Sequence, residues 1–273
     1  MNILILGGTG RIGKNLYTKL SQIKEYNLFT LSRSKNNFNT SKHYDFDFYE
    51  NDLSSLEVTY KFEIIINCLG KDIFKNEILT TNIYKKFLNL LNSNLNSSWI
   101  EISSISTFGV FNFDKKNLLI SDYGKSKLRS EKLLKKLSNK YNKNCTIFKF
   151  GAVISIKYID EFIFNKFNKF NIFIFFINFF KSKPYVRITF IEDIYDLING
   201  IIINNNRKNK TIVAYKNINI HDSFKMKYKN LYIVNLNFKL IYLLLFYLNK
   251  MFFLKFSSVF NPNLNNNDKE ILH

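Results

Sequence analysis

The sequence predicts an α/β fold built on a doubly wound parallel sheet. Short apolar runs alternate with segments of helical spacing, and a cluster of glycines directly follows the first apolar run. The chain has 273 residues, 46% hydrophobic and 22% charged, which excludes a largely disordered protein. Its two cysteines are too few for a disulfide framework, so a packed core must carry the fold.

Six short apolar runs predict buried strands. They lie at 2–6, 27–32, 43–48, 62–67, 99–103 and 145–150. Helical spacing predicts helices between them, at 13–23, from about 53, at 77–95 and at 123–140. This alternation of strand and helix favours parallel strands with helices on both faces of the sheet.

The predicted domain boundaries follow from where the alternation loosens. Residues 1–154 form one domain, which residues 186–220 complete, and residues 155–185 and 221–273 form a smaller C-terminal lobe. The aromatic-rich stretches of this lobe, 170–180 and 240–254, are too short or too interrupted to span a bilayer. We therefore expect buried helices there and no membrane contact.

The glycine cluster is the strongest functional signal. The chain contains only nine glycines, and three of them form the pattern GxxGxxG between the first strand and the first helix. Such a turn lets the backbone approach a pyrophosphate, which binds at the helix N-terminus. The pattern predicts a dinucleotide site, and the alternative is an ordinary strand-to-helix turn. The loop residues expected at the cofactor are Gly7, Thr9, Gly10, Arg11, Ile12 and Gly13.

The end of the second strand favours NADP over NAD. An NAD site places a carboxylate there to bind the ribose hydroxyls, whereas this chain has Ser32, Arg33 and Ser34. Arg33 and Arg11 are expected to reach a 2′-phosphate, with Ser32 or Ser34 as a hydroxyl partner; alternatively, both arginines are surface residues. Asp47, after the third strand, is expected to accept a hydrogen bond from the adenine amino group or to cap the following turn.

A tyrosine and a lysine four residues apart begin the helix predicted at 123–140. Tyr123 and Lys127 lie on one helical face, so the ammonium is expected to lower the pKa of the phenol and create a general acid/base. Ser104 follows the fifth strand, where it is placed to hydrogen-bond the same substrate oxygen. The YxxxK spacing indicates an active site only because of the order of motifs along the chain: first the glycine loop, then the serine that follows a strand, then the tyrosine and lysine.

In this order, the motifs resemble those of the extended short-chain dehydrogenase/reductase superfamily. Its members are nucleotide-sugar epimerases, dehydratases and reductases with a Rossmann-type sheet and a C-terminal substrate-binding lobe. The matching segments are GGTGRIG (7–13), ISSISTFG (102–109), YGKSKLRSEKLL (123–134) and YVRITFIEDIYDLINGI (185–201). The resemblance covers nearly the whole chain and is strongest up to about residue 200.

The resemblance implies a role for each matching residue near the cofactor. Ser104 and Tyr123 match the catalytic pair, and Lys127 matches the partner that also holds the nicotinamide ribose. Asn67 and Gly70 match the segment that passes under the cofactor.

On the substrate side, the resemblance is partial. Arg187 matches an arginine that contacts the substrate diphosphate, with a surface cation as the alternative, and Asn82 matches a helix asparagine near the active site. Sugar dehydratases carry an Asp-Glu pair directly after the catalytic serine, where this chain has Ile105 and Ser106, so dehydration lacks its acid and base. The family's usual Arg-Pro pair after the sixth strand is replaced by Lys149 and Phe150.

The resemblance implies an NAD(P)-dependent enzyme of nucleotide-linked sugars, as used in surface polysaccharide biosynthesis. The predicted activity is NADPH-dependent reduction of a keto sugar, and an epimerase that retains NAD is the alternative. A third hypothesis is a non-catalytic member that binds nucleotide or RNA. We also expect a homodimer through the helices at 77–95 and 123–140, no metal, and a cytoplasmic location, because Met1 and Asn2 lead directly into a strand.

The net charge of +19 does not by itself indicate a nucleic-acid partner. Only five of the 40 basic residues are arginine, and the basic residues are spread over both halves of the chain. An AT-rich coding bias explains the excess of lysine together with asparagine, isoleucine, phenylalanine and tyrosine. We therefore expect no nucleic-acid partner, with a selected basic face as the alternative.

Overall fold

A seven-stranded parallel sheet forms the centre of the protein in the computed structural model. The structure describes residues 1–33, 42–48, 60–70, 76–93, 97–108, 120–158, 185–204 and 209–219. Its strands are β1 (Asn2–Leu6), β2 (Asn27–Ser32), β3 (His43–Asp45), β4 (Ile64–Asn67), β5 (Ser98–Ser104), β6 (Asn144–Phe150) and β9 (Lys210–Ala214). They lie in the order β3-β2-β1-β4-β5-β6-β9, and each neighbouring pair is parallel.

Helices cover both faces of this sheet. They are α1 (Arg11–Leu20), α2 (Glu77–Leu90), α3 (Asp122–Lys140) and α4 (Ile191–Ile203). The core between the sheet and α1 and α4 is rich in isoleucine, whereas the core under α2 and α3 is rich in aromatic residues. Burial of the sheet on both faces explains why its strands read as continuous apolar runs. The predicted doubly wound α/β fold is confirmed.

A second, smaller sheet lies beyond the end of β6. It contains β7 (Ala152–Ile154), β8 (Tyr185–Phe190) and β10 (Lys216–Asn219), with β8 parallel to β7 and antiparallel to β10. The two sheets approach closely at Gly151, where a Cβ atom would lie 2.5 Å from the carbonyl oxygen of Arg187. Glycine at this position therefore permits β8 to pass directly over the end of β6.

Some element boundaries differ from those predicted, for local reasons. The first helix begins at Arg11 rather than residue 13, because Gly10 takes an extended backbone and forms its N-cap. The helix predicted to reach residue 95 ends at Leu90, because Leu91 is extended and bridges to Phe62. The helix predicted from about 53, the stretches 170–180 and 240–254, and most of the predicted C-terminal lobe lie outside the described residues.

None of the helices in the described ranges is both long enough and apolar enough to cross a membrane.

Candidate active site

The loop between β1 and α1 is folded so tightly that only glycine fits at its ends. Gly7 has a φ of +77°, in the left-handed region that glycine adopts without strain. A Cβ atom on Gly13 would lie 2.3 Å from the carbonyl oxygen of Gly7. Gly10 caps α1 without a side-chain hydrogen bond, so the first backbone amides of the helix are available to bind an anion.

This loop rests on the segment that follows β4. A Cβ atom on Gly7 would lie 3.0 Å from the carbonyl oxygen of Cys68, and Gly70 is exposed two residues later. The amide of Asn67 is buried: it donates to Glu101 Oε2 at 2.8 Å and accepts a hydrogen bond from the backbone of Leu69 at 3.2 Å. Asn67 therefore shapes the segment beneath the glycine loop through contacts with the protein itself.

The end of β2 offers an unpaired hydroxyl. Ser32 is only 4% exposed, and its Oγ atom has no hydrogen-bond partner among the described residues. Arg33 follows it and is exposed, and Asp47 is half-buried after β3. Arg11 lies elsewhere, because its Nη1 atom donates to the carbonyl oxygen of Val153 at 3.2 Å. That Arg11 and Arg33 both reach a 2′-phosphate therefore stays a prediction, and Ser32 and Arg33 are adjacent at the end of β2.

Ser104 and Tyr123 are brought together by close packing of α3 on the turn after β5. Ser121 caps α3 through a hydrogen bond from the Gly124 amide at 3.1 Å. A Cβ atom on Gly124 would lie 2.3 Å from the carbonyl oxygen of Ser106, so glycine permits this approach. As a result, the Tyr123 phenol comes close enough to the Ser104 side chain for the serine to lower the pKa of the phenol. The tyrosine remains 38% exposed, as a residue that meets a substrate must be.

The electrostatics of Tyr123 differ from the prediction. Burial raises the pKa of its phenol, and the hydrogen bond from Ser104 lowers the pKa by less. Lys127 is 3% exposed and donates to the carbonyl oxygen of Ile102 at 2.9 Å, so its ammonium is directed beneath β5. The expectation that Lys127 brings the pKa of Tyr123 down toward neutral pH is therefore wrong: the phenol stays protonated.

Burial also acts on Lys127 itself. Desolvation lowers the pKa of this lysine, and the negative charges of Glu101 and Glu131, together with Cys68, oppose the decrease. Glu101 is completely buried in β5. The sequence analysis missed this acid, although a glutamate inside the apolar run WIEIS was a visible signal.

A buried ion pair supports the backbone of Ser104. Glu131 of α3 lies 3.0 Å from the ammonium of Lys149 in β6, and both side chains are almost completely buried. Lys149 also donates to Thr107 Oγ1 at 2.9 Å, and that hydroxyl donates to the carbonyl oxygen of Ser104 at 2.9 Å. The lysine that replaces the family's usual arginine thus fixes the turn that carries the serine.

Arg187 is a buried cation with unused donors. It lies on β8, is 7% exposed, and its Nε and Nη1 atoms have no hydrogen-bond partner among the described residues. Its guanidinium lies 5.5 Å from the ring centroid of Tyr215, and burial lowers its pKa. The alternative of a surface cation is therefore wrong. Asn82 is exposed on α2, and its role stays a prediction.

These groups share one edge of the main sheet. The glycine loop follows β1, Asn67 ends β4 and Ser104 ends β5, and the three strands are parallel neighbours in the order β1-β4-β5. Two strand spacings separate the glycine loop from Ser104, a distance of about 10 Å. Ligands of open α/β sheets bind at this carboxyl edge. The arrangement can therefore hold a pyrophosphate at one end and act on a substrate oxygen at the other.

Comparisons with known proteins identify the family. The model of the NAD dependent epimerase/dehydratase family matches residues 3–171, which is more than half of the chain. A search of curated proteins finds no match.

Solved structures of nucleotide-sugar enzymes share the fold at low sequence identity. UDP-glucuronic acid 4-epimerase from Bacillus cereus, in complex with NAD, has a TM-score of 0.60 and 18% identity, covering 86% of this chain and 87% of its own. UDP-N-acetylglucosamine 4-epimerase from the same organism has a TM-score of 0.55 and 17% identity, covering 82% and 81%. UDP-glucose 4-epimerase from Thermotoga maritima, with UDP-glucose, has a TM-score of 0.58 and 15% identity, covering 86% and 85%. With the family model, the shared fold and the glycine loop in agreement, the chain belongs to the NAD-dependent epimerase/dehydratase family.

Proposed function

We propose that this protein is an NADPH-dependent reductase of a nucleotide-linked keto sugar. The observation that carries the proposal is the close approach of Tyr123 to Ser104 at the carboxyl edge of the seven-stranded sheet, where α3 packs on the turn after β5. The phenol of Tyr123 is protonated at neutral pH, because burial raises its pKa, although the same increase makes it a weaker acid. Reduction of a carbonyl consumes such a proton, whereas oxidation of a hydroxyl needs the phenolate.

The described residues fit a dinucleotide cofactor. The first amides of α1 would hold the pyrophosphate, in a cradle that a side chain on Gly13 would fill. The unpaired hydroxyl of Ser32, with Arg33 beside it, would hold a phosphorylated ribose, and Asp47 would face the adenine. Lys127 would hold the nicotinamide ribose. The absence of an acid at Ser32 and Arg33 supports NADP over NAD.

In the proposed mechanism, the protein controls one oxygen and one proton. The bound nicotinamide cofactor supplies the hydride. Ser104 donates a hydrogen bond to the carbonyl oxygen of the substrate and stabilises the negative charge that develops there. Tyr123 donates its proton to the same oxygen and is reprotonated from solvent, to which its ring is partly exposed.

The substrate class follows from Arg187 and from the residues after Ser104. The two nitrogens of the buried guanidinium that have no partner among the described residues suit a diphosphate, which accepts hydrogen bonds from both. Ile105 is apolar and 2% exposed, and Ser106 is 3% exposed, so neither supplies the acid/base pair that elimination of water requires. This supports reduction over dehydration of the sugar.

A nucleotide-sugar epimerase that retains NAD is the second candidate. It is favoured by three solved structures of similar fold that are 4-epimerases, one of them in complex with NAD. An epimerase oxidises and re-reduces one carbon, so NAD would remain bound through purification. The two candidates are therefore separated by the cofactor that copurifies and by net consumption of NADPH.

The decisive experiment measures NADPH oxidation with a panel of UDP-, dTDP- and GDP-linked keto sugars. Tyr123→Phe is the test variant, and Tyr141→Phe, at the C-terminal end of α3, is the matched control. We expect NADPH oxidation that is lost in Tyr123→Phe and kept in Tyr141→Phe. Tightly bound, copurifying NAD with interconversion of two sugars would support the epimerase instead. If no keto sugar supports NADPH oxidation that depends on Tyr123, the reductase assignment fails.

The proposal includes a homodimer through α2 and α3, which lie side by side on one face of the sheet. Lysines 85, 132 and 136 are exposed on these helices, so a two-fold interface would bring like charges together. Salt screens such repulsion. We therefore expect the dimer to strengthen with rising salt in analytical ultracentrifugation. RNA binding by the same basic side would show the opposite trend, weakening steeply as salt rises.

A further inference from the structure

Glu101 is a carboxylate in the middle of the main sheet, with no exposure to solvent. Its Oε2 atom accepts hydrogen bonds from the Trp99 indole and the Asn67 amide, each at 2.8 Å. Its Oε1 atom accepts one from the Tyr84 hydroxyl at 3.3 Å. These three uncharged donors come from β5, β4 and α2, and they solvate a negative charge. No part of the proposed mechanism so far uses this acid.

The other buried charges leave Glu101 with one counterpart. The buried charged residues of the described ranges are Glu101, Lys127, Glu131, Lys149 and Arg187. Glu131 and Lys149 form a direct pair at 3.0 Å, and Arg187 lies in the small sheet against Tyr215. Of the buried cations, this leaves Lys127 to balance the charge of Glu101. The ammonium of Lys127 donates to the carbonyl oxygen of Ile102, the residue that follows Glu101.

Other groups near Lys127 cannot replace this charge. Cys68, after β4, is a neutral thiol, because burial raises its pKa to about 12. Glu131, from α3 itself, lies 3.0 Å from the ammonium of Lys149 and raises the pKa of Lys127 by less than Glu101 does. On the α2 side, Tyr84 is neutral, since burial raises its pKa well above the ordinary value. Glu101 is thus the acid that raises the pKa of Lys127 most. Burial raises the pKa of Glu101 itself, and the charge of Lys127 opposes this increase together with the hydrogen bonds from Trp99 and Asn67.

We propose that Glu101 is a positioning residue: its buried carboxylate is the counter-charge that keeps Lys127 an ammonium at the active site. Through the hydrogen bond from Asn67, the same carboxylate also fixes the segment beneath the glycine loop. The role in turnover rests on the proposed function, but the pairing of the two charges does not. The pairing of the two charges and its role in turnover can therefore be tested separately.

The test replaces Glu101 by glutamine, which keeps the size of the side chain and removes its charge. The readout is the titration of the Lys127 side chain by NMR in protein labelled at lysine, with the Lys127 signal assigned by its absence in Lys127→Met. Burial lowers the pKa of Lys127, and without the carboxylate less negative charge opposes this decrease. We therefore expect the midpoint of the Lys127 titration to fall by about one pH unit or more, which is a tenfold change in its acid dissociation constant. Tyr84→Phe is the control, because it removes a donor to Glu101 but no charge from Lys127.

A midpoint in Glu101→Gln within experimental error of the wild-type value would overturn the proposal. In the reductase assay, the loss of activity at high pH is expected to move to lower pH in Glu101→Gln and to stay in place in Tyr84→Phe. If the midpoint falls but the wild-type protein reduces no keto sugar, the charge pairing stands and the proposed function fails.

A double-variant cycle covers the case in which Glu101→Gln does not fold. Each of Glu101→Gln and Lys127→Met leaves one buried charge without its counterpart, whereas the double variant removes both charges. We expect the double variant to unfold at higher urea concentration than either single variant. A double variant no more stable than the weaker single variant would reject the pairing.

Discussion

Replacing Gly13 by alanine tests the glycine loop most directly. The new methyl group would lie 2.3 Å from the Gly7 carbonyl oxygen and 2.9 Å from the Gly8 Cα atom. Both obstacles are backbone atoms, which cannot rotate away as a flexible side chain can. The loop must therefore open, and the Gly7 carbonyl has to move by about 1 Å to restore ordinary contact.

The expected energies follow from this overlap. Overpacking of a rigid site costs about 1–3 kcal/mol, while alanine gains about 1 kcal/mol over glycine inside a helix. We therefore expect Gly13→Ala to lower the free energy of unfolding by about 0–2 kcal/mol. Cofactor binding is expected to change more than stability does, because a displacement of about 1 Å moves the loop away from the phosphates. We expect the affinity for NADPH to fall about 10- to 100-fold.

Gly200→Ala is the matched control for this experiment. Gly200 lies inside α4, and a Cβ atom there meets nothing within 4 Å. This variant is expected to gain up to about 1 kcal/mol in stability, with unchanged NADPH affinity. Urea unfolding and NADPH fluorescence titration measure the two quantities. If Gly13→Ala binds NADPH as tightly as the wild-type protein does, the pyrophosphate does not bind in this loop.

Three further predictions concern the cofactor, the ion pair and the tyrosine. Ser32→Asp should shift the ratio of the Kd values for NADPH and NADH about tenfold or more toward NADH, because the carboxylate repels a 2′-phosphate; an unchanged ratio in fluorescence titrations would refute NADP binding at this strand end. Lys149→Met should lower the free energy of unfolding by about 3–5 kcal/mol, since Glu131 is left buried without its partner. Adding Glu131→Gln should recover much of that loss in urea unfolding, and a purely additive loss would contradict the pairing. Finally, the phenol of Tyr123 should ionise only above its ordinary pKa of about 10. The difference in tyrosinate absorbance between the wild-type protein and Tyr123→Phe measures this, and ionisation below pH 10 would contradict it.

The local parts of the structure could be predicted from the sequence. Apolar runs locate β1 to β6 because a sheet covered on both faces excludes polar residues from its strands. The glycine loop could be predicted because its constraints arise between residues 7 and 13, and the pairing of Tyr123 with Ser104 could be predicted from their order in the family.

The parts that could not be predicted depend on contacts between distant residues. Arg11 is directed by a carbonyl oxygen that lies 142 positions along the chain, at Val153. The ammonium of Lys127 donates to the carbonyl oxygen of Ile102, 25 positions away. Helical spacing placed Lys127 and Tyr123 on one face but carried no information about which group the long lysine side chain would reach.

Polar residues inside buried strands are the signal that would have extended the sequence analysis. In β5, residues alternate between the two faces: Ile100 and Ile102 contribute to the core under α1 and α4, whereas Trp99 belongs to the core under α2 and α3. Glu101 therefore projects toward the helix that carries Lys127, and Ser103, two residues on, donates to Glu131 of the same helix. A charge can lie at such a position only if an opposite charge meets it. Each glutamate or lysine within a fully buried strand thus predicts a buried partner on the covering helix, and here Lys127 and Glu131 both lie on α3, the helix that carries Tyr123.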